Sequence, residues 1–200
     1  MSEVSAQHVK DLREKTGAGF MDCKVALKES GGDLEGAVRY LRERGLAAAA
    51  KKAGRTTAEG VIGSYIHAGG KIGVLVELNC ESDFVARTDD FQTLLREIAL
   101  QVAAANPQYV ARDEVPADII EREKSVYRAQ MENSGKPPQV IEKIIEGKLG
   151  SFYEQVCLVD QPSIRDPKLT VKAMLQAAIA KLGENISVAR FVRFKVGEAR

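Results

Sequence analysis

Val61-Ile-Gly-Ser-Tyr-Ile-His67, then Ala68-Gly69-Gly70-Lys71, then Ile72-Gly-Val-Leu-Val-Glu-Leu78 is the stretch where the chain changes period. Both flanks are short and rich in β-branched and aromatic residues. The glycine pair between them supplies the backbone freedom of a tight turn, so the segment predicts a β-hairpin. Strand side chains alternate, which places Ile72, Val74, Val76 and Leu78 on one face, expected to be buried. A further β-rich run, Ile186 to Val196, alternates Ile186, Val188 and Arg190 against Ser187, Ala189 and Phe191. It predicts a third strand of the same small antiparallel sheet. Nearly everything else has helical period, so the fold class is α+β.

Before the hairpin, three short helices are expected. Ser5 suits an N-cap, Val4 and Val9 occupy the positions of a hydrophobic staple, and Gly17 ends the first helix. The second runs from about Gly19 to Glu29, with Phe20, Cys23 and Leu27 on one stripe, and Gly31-Gly32 breaks it. Asp33 caps the third, whose stripe is Leu34, Ala37, Val38 and Leu41. Helices this short need one another to be stable. The unit resembles a ubiquitin-associated (UBA-like) three-helix bundle and is assigned to residues 1–45. Residues 46–58, rich in alanine and basic side chains, read as a linker that can be helical in part. Its Lys51, Lys52 and Arg55 lack interleaved aromatic residues and read as a solvated connector rather than a nucleic-acid patch. The remainder, 59–200, reads as one core domain.

Within that core a helix is expected from about Asp90 to Ala105, with Leu94, Leu95, Ile98 and Val102 inward, stopped by Asn106-Pro107. Two long helices follow, broken at Ser134-Gly-Lys-Pro-Pro138. The second carries Ile141, Ile145, Leu149, Phe152 and Val156, the spacing of a helical hairpin with coiled-coil-like packing. This arm spans about 118–158. A last helix, roughly Thr170 to Leu182, ends at Gly183-Glu184-Asn185.

Charge and composition exclude several roles. The chain of 200 residues has 29 basic and 28 acidic side chains, so its net charge of +1 gives no reason to expect nucleic acid as a partner. No apolar run approaches the roughly 20 residues that span a bilayer. The N-terminal residues resemble neither a secretory nor a transit signal. Cys23, Cys80 and Cys157 are scattered, with neither metal spacing nor a disulfide pattern. A cytoplasmic location is expected.

The search for catalytic chemistry finds little. His8 and His67 lie in different modules, without cysteine or carboxylate partners at metal-ligand spacing. Gly17-Ala18-Gly19 does not follow a strand and is no dinucleotide loop. There is no phosphate loop of the Walker type and no nucleophile elbow. Neither an enzyme nor a metal or cofactor site is therefore expected.

One segment remains. After the strand ending near Asn79, Ser82 and Asp83 suit an N-cap, so a short helical turn is expected to carry Phe84 and Val85. A phenylalanine is ordinarily tucked into its own core. The alternative is an aromatic anchor offered to a partner, with Asp83 beside it as a directed acceptor.

Asn79-Cys-Glu-Ser-Asp-Phe-Val-Ala-Arg87 resembles a signature of the elongation factor Ts family. Val9-Lys-Asp-Leu-Arg-Glu-Lys-Thr-Gly-Ala-Gly-Phe-Met-Asp-Cys-Lys24 is similar to the family's other signature. Lys51-Lys-Ala-Gly54, Ser134-Gly-Lys-Pro137 and Arg190-Phe-Val-Arg-Phe194 also match, so the resemblance runs in order from about Ser5 to Gly197.

The resemblance implies a guanine nucleotide exchange factor that binds the GDP-bound GTPase elongation factor Tu and performs no covalent chemistry. It implies that Ser82, Asp83, Phe84 and Val85 displace the partner's magnesium. It implies that Leu12, Gly19, Phe20 and Met21 belong to the part that docks on the GTPase domain. Gln101 stands where many relatives carry a histidine that perturbs the partner's phosphate loop. Glutamine can hydrogen-bond there but cannot become cationic. Short members of the family tend to dimerise through the core domain, and a homodimer is expected here. Two competing readings are a UBA-like interaction module with a structural tail, and an RNA-binding protein using Lys51, Lys52 and Arg55.

Overall fold

A computed structural model describes residues 5–132 and 134–198. Val4, the outer half of the expected staple, lies outside them. Among the described residues there are eight α-helices and one three-stranded antiparallel sheet.

Contacts divide the chain into two compact units. The first comprises residues up to 61 together with 79–94 and 174–187; the second comprises 62–78, 95–173 and 188 onward. Within the first unit, polar contacts tie Arg55, Glu81 and Ser82 to Glu184 and Asn185, which are far apart in sequence.

In the first unit, α1 (Ala6–Thr16), α2 (Phe20–Glu29) and α3 (Leu34–Lys52) form the bundle. The Ser5 hydroxyl accepts from His8 N at 3.1 Å and Gly17, at φ 67°, closes α1. The Asp33 carboxylate accepts from Gly36 N at 2.8 Å and starts α3. Val9, Leu12, Cys23, Ala26, Leu27 and Ala37 are the buried core, with Leu34, Val38 and Leu41 packed around it. Cys23 and Leu27 of the α2 stripe are buried, while Phe20, next to the glycine turn, is exposed. The segment read as a linker is helical up to Lys52, because Ala47 to Ala50 are the best helix formers and nothing before Gly54 stops α3.

In the second unit the hairpin turn closes with His67 N donating to Ile72 O at 2.9 Å, while Gly69 and Gly70 take φ 88° and 69°. The strands β1 (Glu59–Ile66), β2 (Ile72–Cys80) and β3 (Ile186–Lys195) lie in the order β1-β2-β3, so β2 is central. Val74, Val76 and Leu78 are buried as expected; Ile72, at the strand end, is only half-buried. In β3 the inward parity holds for Ile186 and Val188 and then fails. Arg190 faces solvent on Glu77 at 2.7 Å, and Arg193 turns inward to donate to Ala103 O.

The short helix α4 (Asp83–Ala86) leads into α5 (Asp89–Ala105), of which Leu95, Ile98, Ala99 and Val102 are buried in the second unit. A Cβ on Gly63 would stand 2.6 Å from Leu95 Cγ, so glycine is what lets the strand approach this helix. The arm consists of α6 (Ala117–Met131) and α7 (Pro138–Val156), with Ile145, Leu149 and Val156 buried along α7. The Lys148 ammonium over the Tyr127 ring and the Arg128–Glu142 pair join its two helices. The last helix is α8 (Val171–Leu182).

Candidate partner-binding site

The candidate site is the corner where β2 ends. Ser82 is extended (φ −133°, ψ 155°), and its hydroxyl accepts from Val85 N at 3.4 Å, starting α4. The same hydroxyl donates to Glu184 Oε1 at 2.6 Å. The other Glu184 oxygen accepts from Ser82 N at 2.9 Å and Glu81 N at 3.1 Å. In return, Glu81 Oε1 accepts from Asn185 N at 2.7 Å and from Arg55 Nη1 at 3.5 Å. Beyond the turn, the Thr88 hydroxyl donates to Val85 O and Gln92 Nε2 donates to Ala86 O. Four residues of backbone are thus tied down at both ends.

On this turn Ala86 is buried while Phe84 is 79% exposed. Helical geometry advances about 100° per residue, so residues two apart face opposite ways. Tying Ala86 inward turns the Phe84 ring outward. The Asp83 carboxylate is held by Arg87 Nη2 at 2.7 Å, and Val85 is half-buried. Cys80, beneath the turn, donates its thiol to Ser82 O at 3.1 Å; burial pushes that thiol up from its ordinary pKa, and the Glu184 charge adds to the effect. All three cysteines are buried and free.

A second apolar exposure lies at the start of α2. Gly19 caps the helix without any side-chain hydrogen bond, and Phe20 and Met21 are 54% and 65% exposed. The loop before them is held by Thr16, whose hydroxyl donates to Leu12 O at 2.7 Å and accepts from Ala18 N.

Two of the expected contact residues are buried in this structure. Leu12 is fully buried in the bundle core, because it lies on the inner stripe of α1 with Val9. Its side chain supports the bundle from inside. Gln101 is 2% exposed. Its amide nitrogen donates to Gln161 Oε1 and Pro162 O, each at 3.1 Å, and its oxygen accepts from Ile164 N at 2.9 Å. Every polar atom of that side chain is used inside its own unit, where it fastens the loop before α8.

Glu184, Asn185, Glu81 and Arg55 are the residues that sequence reasoning missed. Gly183-Glu184-Asn185 reads only as the end of a helix. The signal that was there is a carboxylate directly after a helix C-terminus, a place the helix macrodipole disfavours.

Known proteins set this geometry in context. The family model described as Elongation factor TS matches residues 36–198. The chain is 63% identical over 196 residues to "Elongation factor Ts" of Fervidobacterium nodosum, covering 98% of this chain and 100% of that one. It is 58% identical over 195 residues to the protein of the same name from Carboxydothermus hydrogenoformans, covering 98% and 90%. It is 59% identical over 198 residues to that of Desulforamulus reducens, covering 99% and 91%. A match of this extent, across both the bundle and the core, shows that the chain belongs to the elongation factor Ts family of translation elongation factors.

Proposed function

We propose that this chain is a guanine nucleotide exchange factor. It binds elongation factor Tu in its GDP-bound form and promotes GDP release by displacing the partner's magnesium and opening the nucleotide site. The observation that carries the reading is a large aromatic ring, 79% exposed, on a turn fastened at both ends. A ring left in water at that cost is an anchor waiting for a pocket.

Nucleotide exchange needs no covalent step from this chain. It needs a preference for the opened, nucleotide-free partner over the closed one, and linkage makes the effect reciprocal, so returning nucleotide expels the factor. Moving a two-state balance from 1:99 to 99:1 takes about 5.5 kcal/mol. Burying one phenylalanine contributes roughly 1.5–3 kcal/mol. Phe84 therefore needs help from other contacts. In this reading Ser82, Asp83, Phe84 and Val85 are the lever, and Gly19, Phe20 and Met21 dock on the GTPase domain. Residues 1–45 serve as the docking domain, 46–58 as its connector and 59–200 as the core, with the arm at about 118–158 adding area.

The outward sheet face supports a homodimer through the core. Ile62 and Ile66 of β1, Leu75 of β2 and Val192 and Phe194 of β3 are all exposed. A contiguous apolar face of this kind is a docking surface. A single-chain mass in solution at micromolar concentration would contradict the dimer.

The exchange reading is tested by release of labelled GDP from elongation factor Tu with and without this chain. Acceleration is expected; a rate equal to spontaneous release would overturn it.

A further inference from the structure

We infer that Glu184 is a positioning residue for nucleotide exchange: its carboxylate fixes the Ser82 cap and thereby sets the direction in which Phe84 projects. The inference rests on the reading that Phe84 is the working side chain, and it concerns a residue 100 positions away.

The geometry is specific. One carboxylate receives three hydrogen bonds, from Glu81 N, Ser82 N and the Ser82 hydroxyl. A carboxylate is an acceptor only and can satisfy three donors with two oxygens. A serine hydroxyl has one hydrogen. Here that hydrogen is spent on Glu184 Oε1, which leaves the oxygen lone pairs to accept from Val85 N and cap α4. The cap is therefore oriented from outside, and hydrogen bonds in such a chain reinforce one another.

Location supports the same conclusion. Gly183, at φ 82°, ends α8, and Glu184 follows at once. A negative charge beside a helix C-terminus is unfavourable. The three donors from the Phe84 corner offset that placement. Glu81 returns the contact by accepting from Asn185 N, so residues 81–82 and 184–185 brace each other in both directions. A lever transmits force only as well as its support resists, and the support of this one is a carboxylate on another segment.

The test is Glu184→Gln in the full chain, alone and combined with Phe84→Ala. The substitution keeps the size but removes one acceptor: the amide oxygen can still take both backbone N–H groups, and the NH2 then faces the Ser82 hydroxyl, which loses the acceptor that orients it. Two readouts are needed: the maximal GDP release rate from the partner GTPase at saturating factor, and affinity for the nucleotide-free GTPase. Thermal melting confirms that each variant is folded. We expect Glu184→Gln to lower the maximal rate about tenfold, the equivalent of losing one hydrogen bond to a charged group. Affinity should change less, and the Phe84→Ala background should absorb most of the loss. If Glu184→Gln slows release equally in both backgrounds, the brace serves the fold and not the lever, and the inference is overturned. It is also overturned if Phe84→Ala is slow while Glu184→Gln matches the unaltered chain. If Phe84→Ala itself releases GDP at the normal rate, the reading of the lever fails first and the inference goes with it.

Discussion

Two turns of this protein offer a phenylalanine to solvent, and they are built in opposite ways. At Phe84 the helix begins on a serine whose hydroxyl both caps and is held, with Glu184 clamping the backbone behind it. At Phe20 the helix begins on Gly19, which has no side chain to cap with, and the turn relies on Thr16. A braced ring can push on what it meets. A ring on a loosely capped turn can settle into what it meets. In the proposed function the first turn displaces the partner's parts and the second adheres, and variants can break or sharpen that contrast.

The largest effect is expected away from both rings. Leu12→Ala empties a fully buried site under the Gly19 turn and should destabilise the bundle by about 2–5 kcal/mol. Thermal melting checks this. Docking should weaken only in step with the loss of folded bundle; a docking defect in a bundle of unchanged stability would mean that Leu12 touches the partner after all.

Phe20→Ala comes next. The side chain is half in water, so folding should change by no more than about 0.5 kcal/mol. Affinity for the partner should fall by about tenfold to a hundredfold, as for a truncated aromatic anchor, read from the factor concentration that gives half-maximal release. Ser82→Ala removes the cap and should cost about 1 kcal/mol of local stability, seen as faster amide hydrogen exchange at Val85. The smallest effect is expected from giving the loose turn the cap it lacks. Gly19→Ser places a Cβ 3.1 Å from the movable Asp22 carboxylate and should stabilise the bundle by a few tenths of a kcal/mol. Its docking affinity should not improve if looseness there is useful.

The sequence made some of this legible and hid the rest for physical reasons. Local signals worked where the cause was local. Ser5, Asp33 and Ser82 cap the helices expected of them, Gly69-Gly70 turns the hairpin, and Asn106 ends α5. Burial of Val74, Val76 and Leu78 followed from alternation. What failed depended on contacts distant in sequence. Where α3 ends could not be fixed, because a basic, alanine-rich run reads equally as connector or helix. The parity change in β3 arises where Arg193 reaches Ala103, a partner 90 positions away. At the site, the residues able to form the turn could be read, but whether the ring faces outward could not, since helical period gives relative directions only, and what turns Ala86 inward is contacts distant in sequence. Gln101 was read only by likeness to a histidine of relatives, and its surroundings, Gln161, Pro162 and Ile164, lie some sixty positions on. Glu184 gave only the weak signal of a carboxylate after a helix C-terminus, and its partners Glu81 and Ser82 lie some hundred positions before it.

The most direct test compares the two rings at saturation. GDP release from elongation factor Tu is followed by stopped flow while the concentration of Phe84→Ala or Phe20→Ala is raised until the rate no longer climbs. If the braced ring is the lever, Phe84→Ala should reach a plateau lower by about tenfold or more, the rate equivalent of losing roughly 1.5–3 kcal/mol of burial realised only in the opened partner. Phe20→Ala should reach the normal plateau at higher concentration. A Phe84→Ala plateau equal to that of the unaltered chain would contradict the account.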